Sequence, residues 1–380
     1  MVDMKISVTV VAFNLHNWST EREKELNKEL PGINFQYLES SHKDFFSWLL
    51  SSIFEKTARI LVLFFPSNLF LCALAVSKRS WLLLSWCRSS TVKPDLIIAH
   101  NPAAFYPSYW LATNNKIPFA LDIEDYHPCE VADKSVTESV TFLMKMLMPL
   151  AYYNSFASPL IKKYFAELVV RDSVSNGIVI NNVFAAHEFR ATETDHSFKE
   201  KLRLVWFSQY IDYTRGLEKI LPCLDVINTD IELTLIGEMR KDFFKNEIIK
   251  RKYIHCIKPL SQKELNLQLN KYDLGLAIED ADIDFNRSIC LTNKIWSYFQ
   301  AGLYILASDT EAQLLFMQQH PGHGICSSLQ KESLIHSFER LLKDKEQIRA
   351  LRSNRFKNAA AFNWENESEA LKNKWEEILL

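Results

Sequence analysis

An arginine directly ahead of a glycine that opens an amphipathic helix is an arrangement suited to phosphate. Arg215 and Gly216 stand in that relation, within SQYIDYTRGLEKILPCL after the strand-like run 202–207. The free N–H groups and positive dipole end of such a helix attract an anion, and a guanidinium adds paired charge-assisted bonds. Taken alone, the segment reads equally well as an exposed arginine at a turn. A second helix start falls in 286–313, with Thr292 at the N-cap and Gly302 as the stop after Ala301. Asn293 and Lys294 then occupy the first turn, where a lysine opposes the dipole unless an anion is present. The strand-like run 273–279 precedes this helix, so its amino end, with Asn286 and Arg287, is expected at the carboxyl edge of a sheet, where open α/β sheets bind ligands. In the first half, Glu124, Asp125 and His127 follow the run 117–123. A carboxylate beside a histidine binds hydroxyls or acts as a base; local hydrogen bonding at a strand-end turn accounts for Asp125 and His127 equally well. His100 and Asn101 stand at another strand end.

Other clusters weigh less. EDADID, 279–284, holds an Asp-x-Asp that could bind a metal but reads as a solvated acidic loop. His320 and His323 share QHPGHG without further ligands and are expected at the surface. No Ser/His/Asp arrangement and no basic, aromatic stripe for nucleic acid stands out, so neither a metal nor a cofactor is expected.

These residues need strand ends to hold them. Short apolar runs at 6–13, 33–38, 95–100, 117–123, 178–181, 202–207, 231–237, 273–279 and 303–308 have the Ile, Leu and Val content of parallel strands covered on both faces. Helical stretches separate most of them: a capping box at Thr20 and Glu23 opens one to Leu30, and 261–270, 292–301 and an amphipathic 364–379 are others. The pattern is βαβ twice over, an α/β protein. A polar stretch between Val183 and Lys201 without apolar period reads as the linker between two Rossmann-like domains.

With 380 residues and 48 % hydrophobic content the chain can bury sizeable cores, and 44 basic against 46 acidic residues leave no global pull on polyanions. Only 8 residues are glycine, none in GxGxxG or GxxxxGK[ST], so both familiar glycine loops for phosphate are excluded. The 7 cysteines are widely spaced and form no CxxC, and residues 1–13 read as a strand without the parts of a signal peptide; a reducing cytoplasm is expected.

Residues 56–93 carry six basic side chains, no acidic ones, and the runs ILVLFF and LFLCALAV, interrupted at Pro66. Each run is far short of the roughly 20 residues a spanning helix needs. Two readings are open: a basic, aromatic face resting on anionic lipid, which would make the protein peripheral on the inner face of the membrane, or two buried helices flanking the first sheet, the one weighted ahead.

The order PDLIIAHNP, PFALDIEDYHP, SPLIKKY, IVINNVF, LVWFSQY…RGLE, LTLIGE, YDLGLAIE and TNKIWSYFQAGLYILASDT resembles family 4 glycosyltransferases and their bacterial surface-polysaccharide relatives over nearly the whole chain. The resemblance implies the GT-B architecture, two facing Rossmann-like domains with parallel sheets: an acceptor domain, 1–190, with the helix 364–380 packing back on it, and a nucleotide-sugar donor domain, 200–362. It implies transfer of a sugar from a nucleoside diphosphate to a glycan, most naturally lipid-linked, with retention and without metal. Arg215 matches the family's basic residue before glycine, Asn293 and Lys294 the helix facing the donor, and Asp125 the end of its D-x-H-D stretch. Ser208, Gln209, Gly216, Glu279, Asn286, Arg287 and Thr292 complete the expected donor site; Glu124, Asp125 and His127 the catalytic one; His16, His100 and Asn101 the acceptor one. The chain departs from the family where its leading arginine falls on Tyr210, its E-x7-E pair on Ile289 and Ser297, its D-x-H-D histidine on Glu124, and its first glycine pair on Asn14, Leu15, His16 and Asn17. Those departures motivate an alternative, a catalytically silent nucleotide-sugar-binding or scaffold subunit of polysaccharide assembly.

Overall fold

The computed structural model describes residues 4–14, 16, 26–130, 133–169, 177–190, 200–283 and 285–379. The chain forms two units, Met1–Val179 with Ala370–Leu380, and Ile180–Glu369. The passage between them comes earlier than the expected linker. Val183 and Phe189 already belong to an apolar cluster of the second unit, and the Phe184 amide donates to Gln300 Oε1 at 2.8 Å. Residues 191–199 of that linker, like the capping box at Thr20 and Glu23 and positions Leu15 and Asn17, lie outside the described residues.

Apolar runs that need cover on both faces form parallel ladders throughout the described chain. In the first unit β1 (Val8–Asn14) pairs with β2 (Ile33–Glu39), while β3 (Ile97–His100), β4 (Phe119–Ile123), β5 (Asn154–Phe156) and β6 (Gly177–Val179) form a separate four-stranded sheet in that order. Both rest on one apolar cluster: Val11, Phe13, Leu38 and Ile97 from the strands meet Leu83, Cys87 and Leu111 from the helices Lys78–Ser89 and Pro102–Asn115. The helix Leu69–Val76 buries Cys72 to Ala75, as expected of a flanking helix, but Phe45–Leu61 buries only Ser51 and Ala58. The amphipathic end of the chain is two helices, Trp364–Glu367 and Glu369–Leu379. Trp375 of the latter is buried and its indole N–H donates to the Tyr153 hydroxyl at 3.0 Å.

The second unit is a six-stranded sheet in the order β12-β11-β10-β7-β8-β9, with β7 Leu202–Ile211, β8 Ile231–Met239, β9 Ile254–Ile257, β10 Leu274–Ala277, β11 Tyr304–Ser308 and β12 Gly324–Ser327. Two buried arginines tie its helix ends: Arg352 donates to the carbonyls of Asn270 and Tyr272, and Arg355 to those of Gly302 and Ile348. His323, expected at the surface, is buried with its ring 4.5 Å from that of Phe299, and burial holds its imidazole down at about 4, so it packs as a neutral core ring.

Candidate functional site

The strand order of the second unit creates one special place. The chain leaves β7 toward β8 and β9, then returns to β10 on the other side of β7. The loops after β7 and β10 therefore part in opposite directions and open a crevice at the carboxyl edge, where α/β sheets take ligands. β7 runs on to Ile211 rather than ending at Phe207, because a bulge carries it past Ser208 and Gln209: its register to β8 shifts between Phe207 and Tyr210. Gly237 makes the bulge possible. Its φ is +151° and a Cβ there would lie 2.0 Å from the Ser208 carbonyl oxygen. Beyond the strand, Gly216 (φ +81°) starts the helix Leu217–Leu224, and a Cβ on it would meet Ile278 Cγ2 at 2.6 Å. The turn is thus pressed against the end of β10 as only glycine allows.

Arg215 is exposed on that turn. The Thr214 amide donates to Glu218 Oε1 at 2.7 Å, and Arg287 Nη1 donates to the Thr214 carbonyl at 2.5 Å, so the loops after β7 and β10 are joined beside Arg215.

After β10, Glu279 is buried with its amide donating to Ser308 Oγ at 2.7 Å. Its carboxylate lies 2.8 Å from Lys294 Nζ, off the angle a hydrogen bond requires, so the two pair by charge. Lys294 is itself buried, 5.2 Å above the Trp206 ring of β7. The anion that a first-turn lysine calls for is therefore first of all Glu279. Asp280 corrects the solvated-loop expectation: it is buried, 2.6 Å from Lys219, while Asp282 is exposed and Asp284 lies outside the described residues.

The helix Asn293–Gln300 starts where expected, with Thr292 at the cap position and Asn293 exposed. The capping bond is not made, however, and Thr292 Oγ1 is buried without a partner. Asn286 Oδ1 accepts from Cys290 Sγ at 2.7 Å, within the short helix Phe285–Ile289. Ile289 and Ser297, where the related family carries glutamates, are both fully buried.

In the first unit, register assembles a second group. His100, Asp122 and Ser155 sit opposite one another on β3, β4 and β5, and side chains on one rung share a face. Asp122 accepts from Ser155 Oγ at 2.5 Å and lies 2.7 Å from His100 Nδ1; Glu124 is 3.9 Å from the same nitrogen. These hydrogen bonds, Asp122's first, lift His100 from an ordinary 6.5 to about 10 against the opposing effect of burial. His100 is thus an imidazolium at neutral pH, a donor rather than a base, and the half-exposed Glu124 carboxylate is left to accept from a hydroxyl. His100, Asp122 and Glu124 are also the one cluster of three possible metal ligands among the described residues.

A raised value means that folding favours the protonated ring, so its stabilising effect is complete below pH 6.5 and is lost as pH climbs through about 10. The difference in melting temperature between wild type and His100→Asn should therefore narrow over that window. A constant difference from pH 6 to about pH 10 would contradict the pairing.

The remaining expected residues separate. His127 is buried and its Nδ1 lies 2.6 Å from Glu130 Oε2, with Nε2 unpartnered; Asp125 is bonded to it through the backbone, the His127 amide donating to the Asp125 carbonyl at 3.0 Å. Asn101 stands at φ +68°, ψ 148°, ahead of the helix Pro102–Asn115 and without a capping bond. His16 joins the ends of β1 and β2: Nε2 meets Glu39 at 2.6 Å and Nδ1 meets the Lys43 ammonium, which can only donate, at 3.1 Å. Asp122, Ser155, Glu130 and Lys219 were not expected. A lone carboxylate inside the apolar run 117–123 was the signal that could have marked Asp122.

No family model and no curated protein matches the sequence. Among solved structures the chain is similar to HepE of Anabaena in complex with UDP, at TM-score 0.66 and 10 % identity over 97 % of this chain and 100 % of that one. It is similar also to a sucrose-phosphate synthase from Thermosynechococcus elongatus (0.64, 12 %, 97 % and 98 %) and to a glycosyltransferase from Rickettsia africae (0.63, 13 %, 98 % and 99 %). The chain has the GT-B fold of these glycosyltransferases.

Proposed function

We propose that the chain is a glycosyltransferase that takes its sugar from a nucleoside-diphosphate donor. The observation that carries this reading is the crevice between β7 and β10, where the Gly216 helix start, exposed Arg215 and the Arg287-tethered turn meet at a sheet edge. A diphosphate there would accept from the Leu217 and Glu218 amides and from Arg215. HepE was solved with UDP, which makes uracil the first base to try. The acceptor is a glycan hydroxyl, lipid-linked on this reading, received beside Glu124 and the His100–Asp122 pair. A protonated His100 suits retention, in which the leaving phosphate takes the acceptor's proton and catalysis comes from holding charge on the diphosphate.

Calorimetric titration with UDP, GDP and TDP and their sugars tests the donor site. Arg215→Ala should weaken the best of them by about 10- to 100-fold, since a hydrogen bond to a charged group contributes roughly 1.5–3 kcal/mol. Unchanged affinity would remove Arg215 from the site. The burial of Ile289 and Ser297 at the family's glutamate positions favours a second reading, a silent binding subunit. Tight donor binding with neither transfer nor donor hydrolysis would select it.

A further inference from the structure

The helix Phe45–Leu61 wears its apolar face outward. Ser51 and Ala58 are its buried residues, while Phe46, Leu50, Ile53 and Ile60 recur at helical spacing on the opposite side and are exposed, Phe46 by 76 %. This inverts the pattern of a surface helix in a water-soluble protein. The turn that follows continues the surface, with Leu63, Phe64 and Phe65 exposed by 67, 72 and 59 %. Large contiguous apolar patches of this kind mark interaction sites. The orientation is fixed rather than accidental. Arg59 donates to the Ala75 carbonyl at 3.1 Å and to Glu55 at 2.7 Å, and the Phe54 and Trp81 rings lie 4.2 Å apart, so the small-residue side is locked against the neighbouring helices.

Charge identifies the occupant. Lys56 is the one charged residue beside the outward stripe, exposed Lys43 precedes the helix, and Lys78 stands 5.3 Å over the Trp48 ring. Of the nearby acids, Asp44 caps the helix through the Ser47 amide and keeps its charge, while Glu55 and Asp133 are paired to Arg59. No helix of the described residues is long and apolar enough to cross a membrane. An apolar helix face with a basic fringe and no spanning length is the form of an element lying in a bilayer interface.

We infer that Phe45–Leu61 and the turn after it seat the first unit on an anionic lipid bilayer, the helix in the plane of the surface and Phe64 and Phe65 among the acyl chains. This goes beyond the transferase reading and stands whether or not sugar is transferred.

The test is co-sedimentation of the full chain with vesicles of phosphatidylcholine alone and of phosphatidylcholine mixed with phosphatidylglycerol. Binding is expected to the mixed vesicles, weakening as salt is added. Phe64→Ser with Phe65→Ser should lower the partition by roughly tenfold or more per phenylalanine, with an unchanged circular dichroism spectrum. Lys56→Glu should weaken binding to the mixed vesicles alone. In Phe64→Trp, indole emission should shift to the blue when mixed vesicles are added. An unshifted emission, or equal sedimentation of wild type and the serine variant, overturns the proposal. So does a wild-type dimer in lipid-free sedimentation that becomes a monomer in the serine variant, because the face would then be an interface between copies.

Discussion

Lys294→Met is expected to destabilise the second unit by roughly 3–5 kcal/mol, the scale seen when one partner of a buried ion pair is removed. Lys294 and Glu279 are 8 % and 4 % exposed, so water cannot replace the lost ammonium. What remains is a buried carboxylate at the end of β10, its amide bonded to Ser308 of β11 and its partner ammonium gone. The double variant Lys294→Met, Glu279→Gln should recover the larger part of the loss, since replacing both members removes the uncompensated charge. Urea unfolding of the three proteins measures this. A loss under about 1 kcal/mol for Lys294→Met would mean that the pair behaves like a solvated surface bridge.

Gly237→Ala comes next in size, at roughly 3 kcal/mol or more, combining the strain of an L side chain at positive φ with overpacking. The clash is with a backbone carbonyl, which cannot rotate away as a side chain would. To relieve it the bulge must flatten, moving Ser208 and Gln209, so donor affinity should fall together with stability. Gly322→Ala is the control: it also has positive φ, at +83°, but open space around its missing Cβ, and should cost about 1–2 kcal/mol. Equal losses in the two variants would show that the bulge is not under steric control.

Strands were legible where apolar residues dominate the run, as in β7, β8, β10 and β11, which are rich in Ile, Leu, Val and Ala. Three strands were not. β9 and β12 are four-residue strands at the two edges of the sheet, each paired on one side only, and β5 reads Asn-Ser-Phe, which looks like a loop. Its polar side chains are buried because each has a partner, Asn154 donating to the Met148 carbonyl and Ser155 to Asp122. The same disguise hid part of the first unit's candidate site, since a rung shared by three strands depends on register and leaves no mark in any one of them. In the second unit the helix starts at Gly216 and Thr292 were readable from local chemistry. That Lys294 answers to Glu279, fifteen positions away, follows from the sheet order and from nothing local.

The indole-to-phenol bond between Trp375 and Tyr153 spans 222 residues of sequence. As the chain is made from its amino end, Ile180–Glu369 is finished before Trp375 exists, whereas the first unit must wait for residues 370–379 to cover Tyr153. The half that starts first thus closes last. During synthesis its apolar surfaces stay open longest, and a stop codon just before Ala370 would leave the second unit whole and the first unsealed.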